Sequence, residues 1–229
     1  MWLNPALTSE SAIAGYRQAL TASAPKHVVI DGLFNDEKLR QVCRILQQPT
    51  AWQTQKHTYD ALYVNERKWQ ITPKSERFVQ RDCWQRAQAN PNTAALALDF
   101  LAFLRGTDFL ALLSELFSVP ITDIHLDDPE RNTNYFRLGA RDFINQHADD
   151  SPGREICLLL YLNENWQAEQ GGELVFAGTS AQPIAIAPLF NRCVLFDPSA
   201  EGAEHWVQPV HDAALGLQRY NVTSWYWGE

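Results

Sequence analysis

From Asn134 to Trp227 the chain runs as short β-rich segments broken by turn signals, with no helical stretch between them. No other feature constrains the fold so strongly. The runs are Tyr135 to Leu138, Ile156 to Leu162, Leu174 to Phe176, Ile184 to Ile186, Cys193 to Phe196, His205 to Val210 and Arg219 to Trp227. Branched and aromatic side chains dominate them, as half-buried pleated surfaces require. Gly171-Gly172, Pro183, Pro188 and Asp197-Pro198 mark the breaks, because these residues leave or end regular pairing. Seven short strands in series predict an antiparallel sandwich or barrel.

The first half reads as helical. Asn35 caps an acidic first turn at Asp36 and Glu37, and Leu39, Val42, Cys43, Ile45 and Leu46 recur at helical spacing after the short strand His27 to Ile30. A second helix is expected from a Thr93 cap to Gly106, and a third from Thr107 to Pro120. Their apolar stripes need a sheet to cover. With no repeat or linker in its 229 residues, the chain is expected to be one α+β domain, with a helix-rich supporting part over 1–120 and a strand-built core from about 121 to 229.

A formal net charge of -8 disfavours binding to nucleic acid or anionic lipid by bulk field. Cys43, Cys83, Cys157 and Cys193 form no CxxC pair and lie in or beside apolar runs, which predicts buried free thiols. The N-terminus has no basic-then-apolar leader and no run approaches a membrane span, so a cytoplasmic protein without a membrane segment is expected. Oligomeric state is not readable. Arg67, Lys68, Lys74, Arg77 and Arg81 gather around Trp69 and Phe78. A solvated face or loop is the simpler reading of this stretch, and a lid or substrate-contact loop the sharper one.

The chemistry concentrates at His147-Ala148-Asp149. At a strand end, period-two alternation turns both side chains the same way, about 6.6 Å apart at the Cα atoms. One metal ion could accept both, with His205 supplying a third ligand from a distant strand. Two imidazoles and one carboxylate on one face leave three positions of an octahedral Fe(II) open, enough for a bidentate cosubstrate and dioxygen. His211 competes with His205 but abuts Asp212 in an expected turn. His27, His57 and His125 read as structural or exposed, as does Asp150, which could also orient His147.

Five further motifs follow in order: Tyr161-Leu162-Asn163 with Trp166, Gly171-Gly172-Glu173-Leu174, Asn191-Arg192 with Val194-Leu195-Phe196, His205 with Val207 and Pro209-Val210, and Arg219 with Asn221 and Trp225. Together they resemble the Fe(II)/2-oxoglutarate dioxygenases of the prolyl 4-hydroxylase-like group, most closely the branch of proline hydroxylases related to the EGL-nine oxygen-sensing enzymes. The resemblance covers roughly residues 125 to 228. It implies a double-stranded β-helix (jelly-roll, cupin-like) core and His147, Asp149 and His205 as catalytic iron ligands. It further implies Arg219 as partner of the distal carboxylate of 2-oxoglutarate, a task that suits a bidentate guanidinium. Asn221 and Trp225 are then expected beside the cosubstrate, although relatives often carry serine at the Asn221 position. A tyrosine that many relatives have corresponds to Phe136, next to Tyr135, and which of the two faces the cosubstrate stays open.

The cofactors implied are Fe(II), 2-oxoglutarate and dioxygen, with ascorbate an optional addition. The activity implied is hydroxylation of an unactivated C–H bond, coupled to conversion of 2-oxoglutarate into succinate and carbon dioxide. A prolyl residue of a protein or peptide is the first substrate expected, and a free amino acid or other small metabolite the second. A non-catalytic binding module on the same scaffold is the reading from another class. A zinc hydrolase would leave Arg219 without a role and lacks an HExxH helix.

Overall fold

The computed structural model describes residues 1–122, 132–180, 182–211 and 216–228. His125 and Asp212 lie outside them. The second half holds eight strands among the described residues: β4 (Thr133–Leu138), β5 (Phe143–His147), β6 (Arg154–Tyr161), β7 (Leu174–Phe176), β8 (Ile184–Ile186), β9 (Arg192–Phe196), β10 (His205–Val207) and β11 (Arg219–Trp227). The first half adds α1 (Glu10–Ala22), β1 (His27–Asp31), α2 (Asp36–Leu46), β2 (Trp52–Thr58), α3 (Glu66–Ile71), β3 (Arg77–Trp84), α4 (Pro91–Leu104) and α5 (Thr107–Phe117).

All the strand pairs are antiparallel and follow the order β1-β9-β6-β11-β4-β3-β5-β10-β7-β8, with β2 on the free side of β3. Strand β3 makes the seam. Its Asp82 and Cys83 pair with β4, while its Val79 and Gln80 pair with β5. One sheet thereby curls into two layers, β1-β9-β6-β11-β4 and β5-β10-β7-β8: the antiparallel sandwich that the strand series predicts and the double-stranded β-helix that the resemblance implies.

Strand β6 shows why the layers hold together, since it is buried on both faces. Leu158 and Leu160 join the cluster under the helices, with Leu39 and Val42 of α2, Phe100 of α4 and Phe109 of α5. The alternate residues Cys157, Leu159 and Tyr161 turn inward to Leu174, Phe176, Val194 and Phe196. Each fully buried leucine or phenylalanine contributes about 1.5–3 kcal/mol by leaving water. The helices thus brace the larger layer from outside and leave the space between the layers for a site.

Helix α2 begins at the expected cap, where the Asn35 side chain accepts from the Lys38 N–H. Helix α4 starts earlier than expected, because Asn90 rather than Thr93 caps it and Pro91 takes the first turn, where a missing N–H costs nothing. The basic stretch Arg67 to Arg81 is not a solvated loop. It contains α3, a 3-10 turn and β3, with Trp69 buried and Arg77 donating to the Trp69 and Thr72 carbonyls at the end of α3. The Arg77 guanidinium lies over the Trp69 ring and that of Arg81 over the Phe136 ring. All four cysteines are free and buried. Among the described residues no helix is long and apolar enough to cross a membrane.

Candidate active site

Strand β5 ends at His147 and β10 begins at His205, and the two are register partners. Their rings lie 4.4 Å apart between centroids. Each ring is fixed by its own backbone: His147 Nδ1 lies 2.9 Å from the Asn145 carbonyl and His205 Nδ1 lies 3.0 Å from the Ala203 carbonyl. Such a bond makes Nδ1 the protonated nitrogen and leaves Nε2 with a free lone pair. Both Nε2 atoms face Asp149, 3.7 Å and 3.8 Å from its two carboxylate oxygens, and the ligand atoms of all three residues lie within 4.8 Å of one another.

Asp149 is held from behind. The Trp225 indole donates to Oδ2 at 2.8 Å, and an Arg154 N–H donates to the Asp149 carbonyl. Burial alone would raise the Asp149 pKa, but His205, His147, the Trp225 bond and Arg154 hold it below its ordinary value. Burial, with His147 adding to it, pushes His205 down to about 4, so it is neutral at physiological pH. Two imidazole Nε2 atoms and one carboxylate oxygen form a donor set that fits a divalent first-row metal and leaves coordination positions open.

Beside this cluster β11 turns Arg219, Asn221, Thr223 and Trp225 into a cavity of about 820 Å³ that also holds the three residues. Period-two alternation puts all four on one face. Arg219 is fully buried; its Nε donates to the Gly172 carbonyl at 2.7 Å and its Nη1 to Asn221 Oδ1 at 2.9 Å. Asn221 in turn donates to Thr223. Arg219 Nη2 and the Tyr161 hydroxyl are both buried and have no partner beyond each other, and the guanidinium sits 4.9 Å from the Tyr161 ring centroid. Stranded donors of this kind are costly unless a ligand satisfies them, and a carboxylate fits the pair. Gly172 makes room, since at its φ of +75° a Cβ would come within 3.0 Å of Arg219 Cδ.

Other expected roles are redistributed. Asn221 meets Arg219 directly and takes the position that relatives often give to serine. Trp225 reaches the site through Asp149. Phe136, not Tyr135, turns toward the cavity side, where it lies under the Arg81 guanidinium, while the Tyr135 hydroxyl donates to the Ala97 carbonyl in the core under α4. Asp150 is exposed, and the backbone of Asn145 orients His147 in its place. His211 is exposed against the Glu169 carbonyl and stands outside the cluster. His57 is neither exposed nor bonded at Nε2: it is 6% exposed and lines the cavity. Tyr161 carries no assignment in the sequence reading, although its parity with Leu159 on β6 would have pointed it inward.

Residues 132–227 match the family model of the 2OG-Fe(II) oxygenase superfamily. Egl nine homolog 1 from Rattus norvegicus is 32% identical over 102 residues, covering 43% of this chain and 26% of the relative. The same protein from Homo sapiens is 32% identical over 102 residues, 43% of this chain and 20% of its own length. The chain therefore spans only about a quarter of the curated relatives it matches. Among solved structures, a Pseudomonas putida prolyl-4-hydroxylase superposes with a TM-score of 0.62 at 16% identity, over 95% of this chain and 99% of the other. A Trichoplax adhaerens prolyl hydroxylase, in complex with a hypoxia inducible factor peptide fragment, gives a TM-score of 0.62 at 19% identity, over 96% and 90%. At such identities the structural likeness shows the fold.

Proposed function

We propose that this chain, which carries a 2OG-Fe(II) oxygenase superfamily domain over residues 132–227, is an Fe(II)- and 2-oxoglutarate-dependent dioxygenase that hydroxylates an unactivated C–H bond, with a prolyl residue of a protein or peptide as its substrate. The observation that carries the reading is the placing, in one cavity, of the His147, Asp149 and His205 cluster beside buried Arg219, whose Nη2 and the Tyr161 hydroxyl next to it have no partner beyond each other. When bound, iron and 2-oxoglutarate supply, with dioxygen, the oxidising power for C–H hydroxylation and yield succinate and carbon dioxide. His147 and His205 hold the ion through Nε2 and Asp149 through a carboxylate oxygen. Trp225 keeps that carboxylate in place. Arg219, braced by Gly172 and Asn221, and the Tyr161 hydroxyl bind the distal carboxylate of 2-oxoglutarate. The walls formed by Leu159, Leu174, Ile144 and Val207 exclude water.

The relatives support proline as the target, since a prolyl hydroxylase of the same fold is named as holding a peptide fragment. Exposed Tyr59, Leu62 and Tyr63 at the cavity rim offer apolar contact to such a peptide. The strands β1, β2 and β3 of the first half pair into the same sheet, and we read the whole chain as one domain. The test is mass spectrometry of a proline-containing peptide library incubated with enzyme, iron and 2-oxoglutarate. Proline gaining one oxygen, with succinate release lost in His147→Ala and Asp149→Ala, is the expected result. Full succinate release by both variants would overturn the metal assignment. A free amino acid or small metabolite is the second reading, favoured by an unpaired cation deep in the cavity.

A further inference from the structure

Arg81 projects from β3 into the cavity, where Asp149 attracts it from a distance but no acidic side chain among the described residues forms an ion pair with it. Among the described residues it has no hydrogen bond and no ion pair within 4 Å; its Nε is buried without a partner and its guanidinium lies over the Phe136 ring at 3.5 Å from the centroid. The β2–β3 register pairs Gln55 with Arg81 and His57 with Val79, so His57 and Arg81 are diagonal neighbours on one face of the ribbon. The His57 Nε2 is likewise buried and unpartnered. Two stranded polar groups side by side on the wall of a cavity are expensive unless something enters to meet them.

The other charged side chains of the cavity have partners. Asp60 is bonded to Lys68 and Thr58, Arg154 is held on Asp149, and Asp149 belongs to the metal cluster. Arg219 faces the distal carboxylate of 2-oxoglutarate in the reading above. The two positive charges of a ferrous ion and that of Arg219 are then balanced by Asp149 and a dianionic 2-oxoglutarate. The charges of Arg81 and Arg154 are left over; Arg154 is held by the Asp149 carbonyl and lies over the Trp225 and Trp227 rings, whereas Arg81 has no hydrogen bond among the described residues.

We infer that Arg81, with the His57 Nε2 beside it, binds a carboxylate inside the cavity, separate from the one that Arg219 takes. The inference rests on the proposed dioxygenase function. Burial, Arg81 and His147 depress the His57 pKa to about 4, so His57 takes part as a neutral hydrogen-bonding group rather than a second cation. That carboxylate is either one carried by the substrate or the second carboxylate of 2-oxoglutarate. In the first case the enzyme selects a free acid or an acidic peptide position.

The experiment is titration calorimetry on the full chain loaded with Mn(II), using the parent, Arg81→Gln and Arg81→Lys. One arm titrates 2-oxoglutarate. The other, at saturating 2-oxoglutarate, titrates a set of small carboxylic acids, free amino acids included, each beside its amide. A tenfold or greater loss of 2-oxoglutarate affinity in Arg81→Gln, with part restored in Arg81→Lys, assigns the carboxylate to the cosubstrate. Unchanged 2-oxoglutarate affinity, with an acid that the parent prefers at least tenfold to its amide and that Arg81→Gln does not, assigns it to the substrate. If the parent binds 2-oxoglutarate, both variants match it, and the parent prefers no acid to its amide, the inference is overturned while the dioxygenase reading stands. A parent that binds no 2-oxoglutarate with Mn(II) overturns both. Should Arg81→Gln not fold, by circular dichroism, Arg81→Lys decides: losing the planar fork should weaken the relevant ligand at least threefold, and parent-like affinities count against the inference.

Discussion

Trp225 donates to the same Asp149 oxygen that faces His205, so a residue with no metal-binding atom fixes where the carboxylate points. Trp225→Phe keeps the ring and removes the N–H; competition against a chelator should show metal affinity falling about 10- to 100-fold, as for other partners that orient ligands. Arg219→Gln removes a charged donor from a buried berth. With about 1.5–3 kcal/mol for each charge-assisted bond, 2-oxoglutarate affinity should fall by at least roughly tenfold, seen as a raised KM for 2-oxoglutarate in succinate release. His57 makes a pH-dependent contribution whose sign follows from its depressed pKa. Folded, it stays neutral down to about pH 4, whereas unfolded it takes a proton near the ordinary histidine value of 6.5. The unfolded state therefore binds more protons between these values, and stability present above pH 6.5 is lost as pH falls toward 4. His57→Phe should flatten that part of the stability profile in denaturant titrations at stepped pH. The metal cluster was legible because His147 and Asp149 alternate at a strand end and His205 opens another β-rich run. Arg81 and His57 were not, since a basic residue in a basic stretch and a lone histidine read as surface until the β2–β3 register puts both on an inner wall.

Among the elements, seven of the eight strands of the second half were readable because branched and aromatic runs end at glycine or proline, and only β5 was missing from that series. In the first half β1 was readable from His27 to Ile30, but β2 and β3 were not. Strand β2 reads Trp-Gln-Thr-Gln-Lys-His-Thr, with only its last two residues buried, and an edge ribbon with so little apolar pattern gives no period-two signal. Helix α1 escaped for a similar reason, as Ile13 and Leu20 are its only buried residues. The turn before β7 carries a sharper consequence. Gly171 and Gly172 have φ of +66° and +75°, and a Cβ at Gly171 would come within 2.2 Å of the Pro209 carbonyl oxygen. Gly171→Ala should cost on the order of 2 kcal/mol or more in chemical denaturation. Gly172→Ala presses instead on Arg219 and Trp166, and should weaken 2-oxoglutarate binding beyond what its loss of stability explains.

At the scale of the whole molecule, an acidic chain of net charge -8 surrounds a cavity that gathers Arg81, Arg154 and Arg219. Overall charge therefore argues against polyanions as partners without describing the interior, and only the folded chain discloses this inversion. Ligands that bind the native state alone raise its stability by mass action, about 2.7 kcal/mol at a hundred times Kd. For a chain of this size, saturating Mn(II) and 2-oxoglutarate should raise Tm by roughly 5–10 °C, read by calorimetric scan and reversed by a chelator. The carbonyl bonds at His147 and His205 bear on how the site fills. Because main-chain oxygens two residues upstream set the tilt of both rings, no neighbouring side chain is required to aim them. The backbone itself thus presents both nitrogens in working attitude, and sequence drift around the rings leaves their aim intact.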